Sequence, residues 1–517
     1  MPGSFPQMYK VELKGLKQMV VPGNQFSHQA RLLQQCLSLY TLQLKGRRRG
    51  ESMTADTDRF VQLCKKFATI DLLANGPPSP PWYSLPTQQN VKVAIETSAL
   101  GLPQSYQNDY AAKLPSIDNL LSLPLVNLET VTGAVYQHDP VLGVLPQLQR
   151  FLAVISHFYH SFMADVQGSQ LSLTMASTLP PLALFQHSAT SGPFTLTSDT
   201  MKSLFNCGIT IAVVSIPSAY RDHPVLWASL AHETGGHDVK HASGALLTDL
   251  RKAVRKFFRT DPLPSDFLNI TDEQIQGILW SYWIDEAAAD VYGLLNMGPT
   301  FALNLASYFA ALWYQSGIFD SNHFPSLRTW SIASGYKFLE THPTDILRLS
   351  LAIGVIENLR GLSQTTRDQY ITTLKQIAQL CTPEDTPKTI HGYVPTMDMS
   401  KIALQLDLSE PIVPLETMQD IARRVGAHIA TVQLPTLEGK SIQDIETWDD
   451  ADEMIAQQIA ATFQNGASVV GMGNPAQLLA GATMALFADA EKYTVVTEKL
   501  SEALDHSYKL DPTWGTP

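Results

Sequence analysis

His232-Glu233-Thr234-Gly235-Gly236-His237 is the stretch on which the reading of this 517-residue chain turns. Two imidazoles and a carboxylate in one short segment are the groups from which metal sites are built, but here the histidines stand five positions apart instead of four. On a regular helix four residues advance ~400° and return two side chains to within ~40° of one face, whereas five leave them ~140° apart. Both imidazoles reach one small ion only if the turn takes in an extra residue, as a π-bulge does. Gly235 and Gly236 fall inside that turn. A glycine inside a helix costs ~1 kcal/mol relative to alanine, so the pair argues for a distorted backbone there. The expectation is a locally widened helix carrying His232 and His237 as metal ligands.

Asp222-His223-Pro224 offers an N-cap and a first-turn proline for that helix, which the pattern extends to about Phe258. A second helix is expected from the acidic turn Thr271-Asp272-Glu273, past Tyr292, to the stop at Gly298-Pro299. It carries Trp283-Ile284-Asp285-Glu286-Ala287-Ala288-Ala289-Asp290, in which Glu286 and Asp290 are four apart on one face. Glu286 supplies a third ligand, and Asp290 can accept the free N–H of a ligating histidine and so fix its tautomer. The alanines allow close approach of the two helices. Three protein ligands with a fourth position for water are the arrangement of a catalytic zinc, with Glu233 placed to take the water's proton.

These segments resemble known families. His232-Glu233-x-x-Gly236-His237 resembles the H-E-x-x-G-H signature of dipeptidyl peptidase III, and Asp285-Glu286-Ala287-Ala288-Ala289-Asp290 resembles its second motif, E-E-x-R-A-[ED]. Thr341-His342-Pro343-x-x-x-x-Arg348 resembles the T-H-P-x-x-x-x-R segment of the CAAX prenyl endopeptidase and HtpX-like class. The shared theme is the gluzincin clan. The resemblance implies Zn2+ held by His232, His237 and Glu286, with Glu233 as general base, Asp290 behind the ligands, and His342 and Arg348 near the substrate carbonyl as oxyanion donors. It implies a zinc metallopeptidase acting on a peptide or protein substrate. A strand at Ile209–Ile216, just before the metal helix, is a candidate for pairing with an extended peptide by edge addition.

Composition is that of an ordinary globular chain, 44% hydrophobic and 16% charged, and a net charge of −12 argues against nucleic acid as a partner. The one basic run, Lys45 to Arg49, reads as a solvated loop. Cys36, Cys64, Cys207 and Cys381 show no paired spacing, and the N-terminus lacks the basic-then-apolar order of a signal peptide, so a cytoplasmic location is expected. The most apolar stretches, Phe301–Phe319 and Ala467–Ala490, are interrupted by polar residues and read as buried helices, with no membrane span. The sequence does not specify an oligomeric state.

Other readings of the same residues stand beside these. Glu233, His237 and His241 are four apart and face one way on an undistorted helix, which makes them a rival ligand set. His342-Pro343 also reads as a helix entry with Arg348 solvated or paired to Asp345, His157-x-x-His160 as a packed pair, and His223 as a capping residue. A scaffold that keeps the metal pocket without turnover, leaving Glu233 idle, is the alternative function.

The fold expected is mainly α with a small β-sheet: a zincin-like (gluzincin) α+β core over residues 168–360, between a mostly helical region at 1–167 and a helical region at 361–517. A proline-rich connector is expected at 76–103, a helix over Val141 to about Val166, two or three strands within 178–218, and a helical pattern throughout Phe301–Cys381. A further proline-bearing stretch, Cys381–Pro414, precedes candidate helices at Met418–Val432, Asp450–Phe463 and Pro475–Leu500.

Overall fold

The computed structural model describes residues 54–70, 142–168, 180–186, 192–197, 212–263, 271–315, 342–380 and 413–510, with short pieces within 133–138 and between 329 and 404. The expected connector at 76–103, the basic run at 45–49 and Cys36, Cys207, Thr341 and Cys381 lie outside these residues. Within them the chain is mainly helical.

Helix α1 (Ala55–Phe67) is capped by the Thr54 side chain. Helix α2 (Leu145–Gly168) buries Leu148, Phe151, Leu152, Ile155, Phe158, Tyr159 and Phe162, the three-and-four spacing of one apolar stripe. Three strands follow: β1 (Leu182–Phe185), β2 (Phe194–Leu196) and β3 (Val213–Ile216). β3 lies in the middle, parallel to β1 and antiparallel to β2. That order corrects the expectation of edge addition to the last strand. Both sides of β3 are already paired, which leaves β2 as the edge nearer the helical segment that follows.

The expected single helix from Pro224 to Phe258 is broken into pieces. A 3-10 turn (Pro224–Ala228) leads into a π-helical segment (Ala231–Asp238), then a short α-turn (Val239–Ala242), and after an extended Ser243 into α3 (Gly244–Phe257). His223 makes no side-chain capping bond; its Nδ1 instead meets the Tyr493 hydroxyl at 2.9 Å. The second expected helix is likewise split at Trp283 into α4 (Asp272–Tyr282), opened by a capping box between Thr271 and Gln274, and α5 (Ile284–Met297). Gly298, at φ 70°, ends α5 in a conformation suited to glycine.

Helix α6 (Thr300–Gln315) is followed by a short hairpin, β4 (Thr329–Ser331) with β5 (Lys337–Leu339), where an unbroken helical pattern was expected. Helices α7 (Asp345–Glu357), α8 (Gln364–Leu380), α9 (Leu415–Thr431), α10 (Asp450–Gln464), α11 (Pro475–Ala488) and α12 (Tyr493–Leu510) complete the described chain. One hydrophobic cluster runs through the molecule, from Phe60 to Leu504. Helices α1, α2 and α9 to α12, assigned by sequence to flanking regions, contribute to the same cluster as α5 and α7. No helix among the described residues is long and apolar enough to cross a membrane.

Candidate metal centre

The π-helical segment packs on α5, and the two glycines explain how closely. A Cβ on Gly236 would stand 2.5 Å from both Cα and Cβ of Ala289, and one on Gly235 would stand 2.7 Å from Asn296 Nδ2. Neither glycine lies at positive φ, so they serve clearance and not a left-handed turn. Ala287, Ala288 and Ala289 are fully buried on the facing helix.

The widened turn brings His232 and His237 onto one face, with ring centroids 4.8 Å apart. Their Nε2 atoms are separated by 3.2 Å, and Glu286 Oε2 lies 3.2 Å from the first and 3.4 Å from the second. Donors placed ~2.0–2.2 Å from a central ion at tetrahedral angles stand about 3.3–3.6 Å from one another. The three atoms thus have close to the spacing a zinc-sized ion imposes, and they form a group able to hold a metal.

Each imidazole is anchored on its far side. His232 Nδ1 is 2.8 Å from Asp290 Oδ1, and His237 Nδ1 is 3.1 Å from Asp285 Oδ1. An N–H donated from each Nδ1 to its carboxylate leaves the Nε2 lone pairs facing each other and the Glu286 carboxylate. Such a convergence is repulsive unless a proton or a metal cation stands within it.

The electrostatics of the metal-free chain express this. Burial opposes a charge on His237, yet the Glu286 and Asp285 carboxylates raise its pKa to about 10. Burial likewise opposes ionisation of Glu286, but the charges of His342 and His237 hold its carboxyl well below the usual range. The Asp290 carboxyl is lowered to about 2, its burial outweighed by the Arg348 guanidinium.

Arg348, on α7, grips Asp290 through two hydrogen bonds, Nε to Oδ2 and NH2 to Oδ1, each 2.7 Å. It is 5% exposed and lies over the Phe309 ring. Its guanidinium is not free: it engages Asp290, which in turn holds His232. Nor is it solvated or paired primarily to Asp345. His342 lies beside Glu286, its Nε2 3.1 Å from Glu286 Oε2 and its side chain 33% exposed. Pro343 precedes the Thr344 N-cap of α7 and does not enter its first turn.

The rival set of Glu233, His237 and His241 does not assemble. A second donor group does, made of His237, His241 and Asp285. His241 Nε2 is 2.9 Å from Asp285 Oδ2, and the fully buried Lys240 places its ammonium 2.8 Å from Asp285 Oδ1, so a cation already faces this carboxylate. The Lys240 and His241 contacts to Asp285 were not read from the sequence, although each lies within four residues of His237.

Glu233 is 6% exposed, and the Thr195 hydroxyl of β2 lies 2.8 Å from its Oε2. Among the described residues it has no ion-pair partner. His157 and His160 lie on α2 and belong to neither donor group, and burial lowers the His157 pKa to about 4, as suits a packed neutral imidazole. Comparison with known protein families, curated proteins and solved structures gives no match for this chain.

Proposed function

We propose that the chain is a zinc-dependent peptidase of gluzincin type, with His232, His237 and Glu286 holding the ion and Glu233 acting as general base. The observation that carries this reading is the spacing of the three donor atoms, 3.2, 3.2 and 3.4 Å, with both imidazoles held from behind by carboxylates. A second feature supports it. Glu233 is a buried carboxylate with a hydroxyl for company, and buried charges are ordinarily paired or set beside a metal.

Zinc bound by these ligands supplies a water acidified towards neutrality and a Lewis acid for the scissile carbonyl. Glu233 takes up a proton at a carboxylate oxygen and returns it to the leaving amine, a role that fits its place in the chain between the two histidines. His342, partly exposed beside Glu286, donates to the developing oxyanion. Asp290 and Arg348 keep the His232 ring in one tautomer and one orientation.

The test is metal analysis of the purified chain together with cleavage of a fluorogenic peptide library by wild type and Glu233→Gln. The expected result is one equivalent of zinc in both proteins and cleavage in the wild type alone. Stoichiometric zinc without Glu233-dependent cleavage would leave the metal-holding scaffold in its place, and absence of bound metal would remove both readings.

A further inference from the structure

The edge strand β2 meets the π-helical segment, and its Thr195 side chain hydrogen-bonds there. Thr195 Oγ1 lies 2.8 Å from Glu233 Oε2 and 3.0 Å from the Glu233 backbone oxygen, so both acceptors belong to the residue read above as general base. The strand is itself fixed, because Thr195 stands opposite Val214 and its neighbours Phe194 and Leu196 opposite Ser215 and Val213 of the central strand. A β-branched side chain on a strand has little χ1 freedom, so the hydroxyl is delivered from a rigid support.

Glutamate has three side-chain torsions, and a carboxylate that must exchange protons with a reacting group gains from having them restricted. A hydroxyl carries a single proton, so it satisfies one Glu233 acceptor at a time. When donated to Oε2, that proton fixes one carboxylate oxygen and leaves Oε1 as the oxygen available for proton exchange. We propose that Thr195 is a positioning residue for Glu233, holding the base by Oε2 so that Oε1 addresses the reacting water.

This inference rests on the peptidase reading, and the experiment separates the two. Thr195→Val removes the hydroxyl while nearly keeping the shape, and Thr195→Ser keeps the hydroxyl. The expected result for Thr195→Val is one equivalent of zinc, an unchanged KM, and kcat lowered on the order of tenfold to a hundredfold, with most of the loss recovered in Thr195→Ser. A readout independent of turnover is the 13C-carboxyl resonance of Glu233, recorded on zinc-free protein with labelled glutamate and assigned by its loss in Glu233→Gln. It should move in Thr195→Val and return towards the wild-type position in Thr195→Ser.

An unchanged kcat or an unmoved resonance in Thr195→Val overturns the positioning role, as does an effect confined to KM, zinc content or thermal stability. If instead Glu233→Gln cleaves like the wild type, or the wild type does not cleave, the peptidase reading fails and the role assigned to Thr195 falls with it.

Discussion

Two donor clusters share His237 and differ in what balances them. On its Nε2 side, His237 joins His232 and Glu286 in a group where, among the described residues, Glu286 has no lysine or arginine salt bridge and meets only the imidazoles of His232, His237 and His342. On its Nδ1 side, it joins His241 and Asp285 in a group where the Lys240 ammonium stands against the carboxylate. Donor residues at ligand-like distances are common to both. The difference lies in what balances each carboxylate: a fixed lysine ammonium at Asp285, and at Glu286 only imidazoles, which can give up their protons to make room for a cation.

The largest effect expected from this contrast is on metal content. His232→Ala should abolish stoichiometric zinc binding, whereas His241→Ala, which touches the second cluster alone, should leave one equivalent bound; plasma-emission metal analysis of the two dialysed variants decides. Equal loss in both would break the distinction. Next in size, Glu233→Gln should lower kcat by about 10²–10⁴-fold while retaining zinc, since it removes a proton acceptor and no ligand.

The third expectation concerns what stands behind the histidines. Asp290→Asn should weaken zinc binding about 10–100-fold in competition with a chromophoric chelator. Asp285→Asn should do less, because Asp285 is 34% exposed at its side chain whereas Asp290 is almost wholly buried. Asp290 also makes stability depend on pH. Its carboxyl is lowered from 3.8 to about 2 in the folded chain, chiefly by Arg348 acting against burial. A depressed carboxyl stabilises the fold above its unfolded value, and that contribution, about 2 kcal/mol, is lost as pH falls towards the folded value. Urea unfolding of the zinc-free wild type and Asp290→Asn should therefore show a stability gap at about pH 6 that narrows below about pH 4.

A further effect, on stability first, is expected where both clusters are disturbed together. Gly236→Ala pushes a methyl against Ala289, so the π-helical segment must lift from α5, at a cost of about 1–3 kcal/mol by thermal or denaturant unfolding. A fall in zinc affinity should accompany it, because the histidines and Glu286 are on opposite sides of that contact.

How much of this was legible in the sequence follows from the range of the forces involved. The widened turn was legible because ligand spacing and helix pitch conflict within six residues, His232 to His237, and the glycines flag the same spot. The placing of Glu286 and Asp290 on one face of α5, both against His232, and the apolar stripe of α2 were legible for the same local reason. The breaks at Ser243 and Trp283 were not, since each lies in a stretch whose helical pattern continues on both sides. Nor was the grip of Arg348 on Asp290, 58 residues away, or that of Thr195 on Glu233, 38 residues away. Such contacts are fixed by how elements pack, and no local period encodes them. The placing of β3 between β1 and β2 belongs to the same class: a strand's sequence announces its pleat but not its neighbours.

The widened turn also sets a phase. Deleting one glycine would give His-Glu-Thr-Gly-His, with a spacing that a regular helix already satisfies, yet every residue beyond it would rotate by ~100° and retreat by ~1.5 Å. Lys240 and His241 would swing off Asp285, and the run into α3 would leave from a different azimuth. The extra residue thus works as a clutch between two gears, letting the ligand face and the downstream face of one helical rod mesh with α5 at angles that an unbroken 3.6-residue rotation cannot supply together.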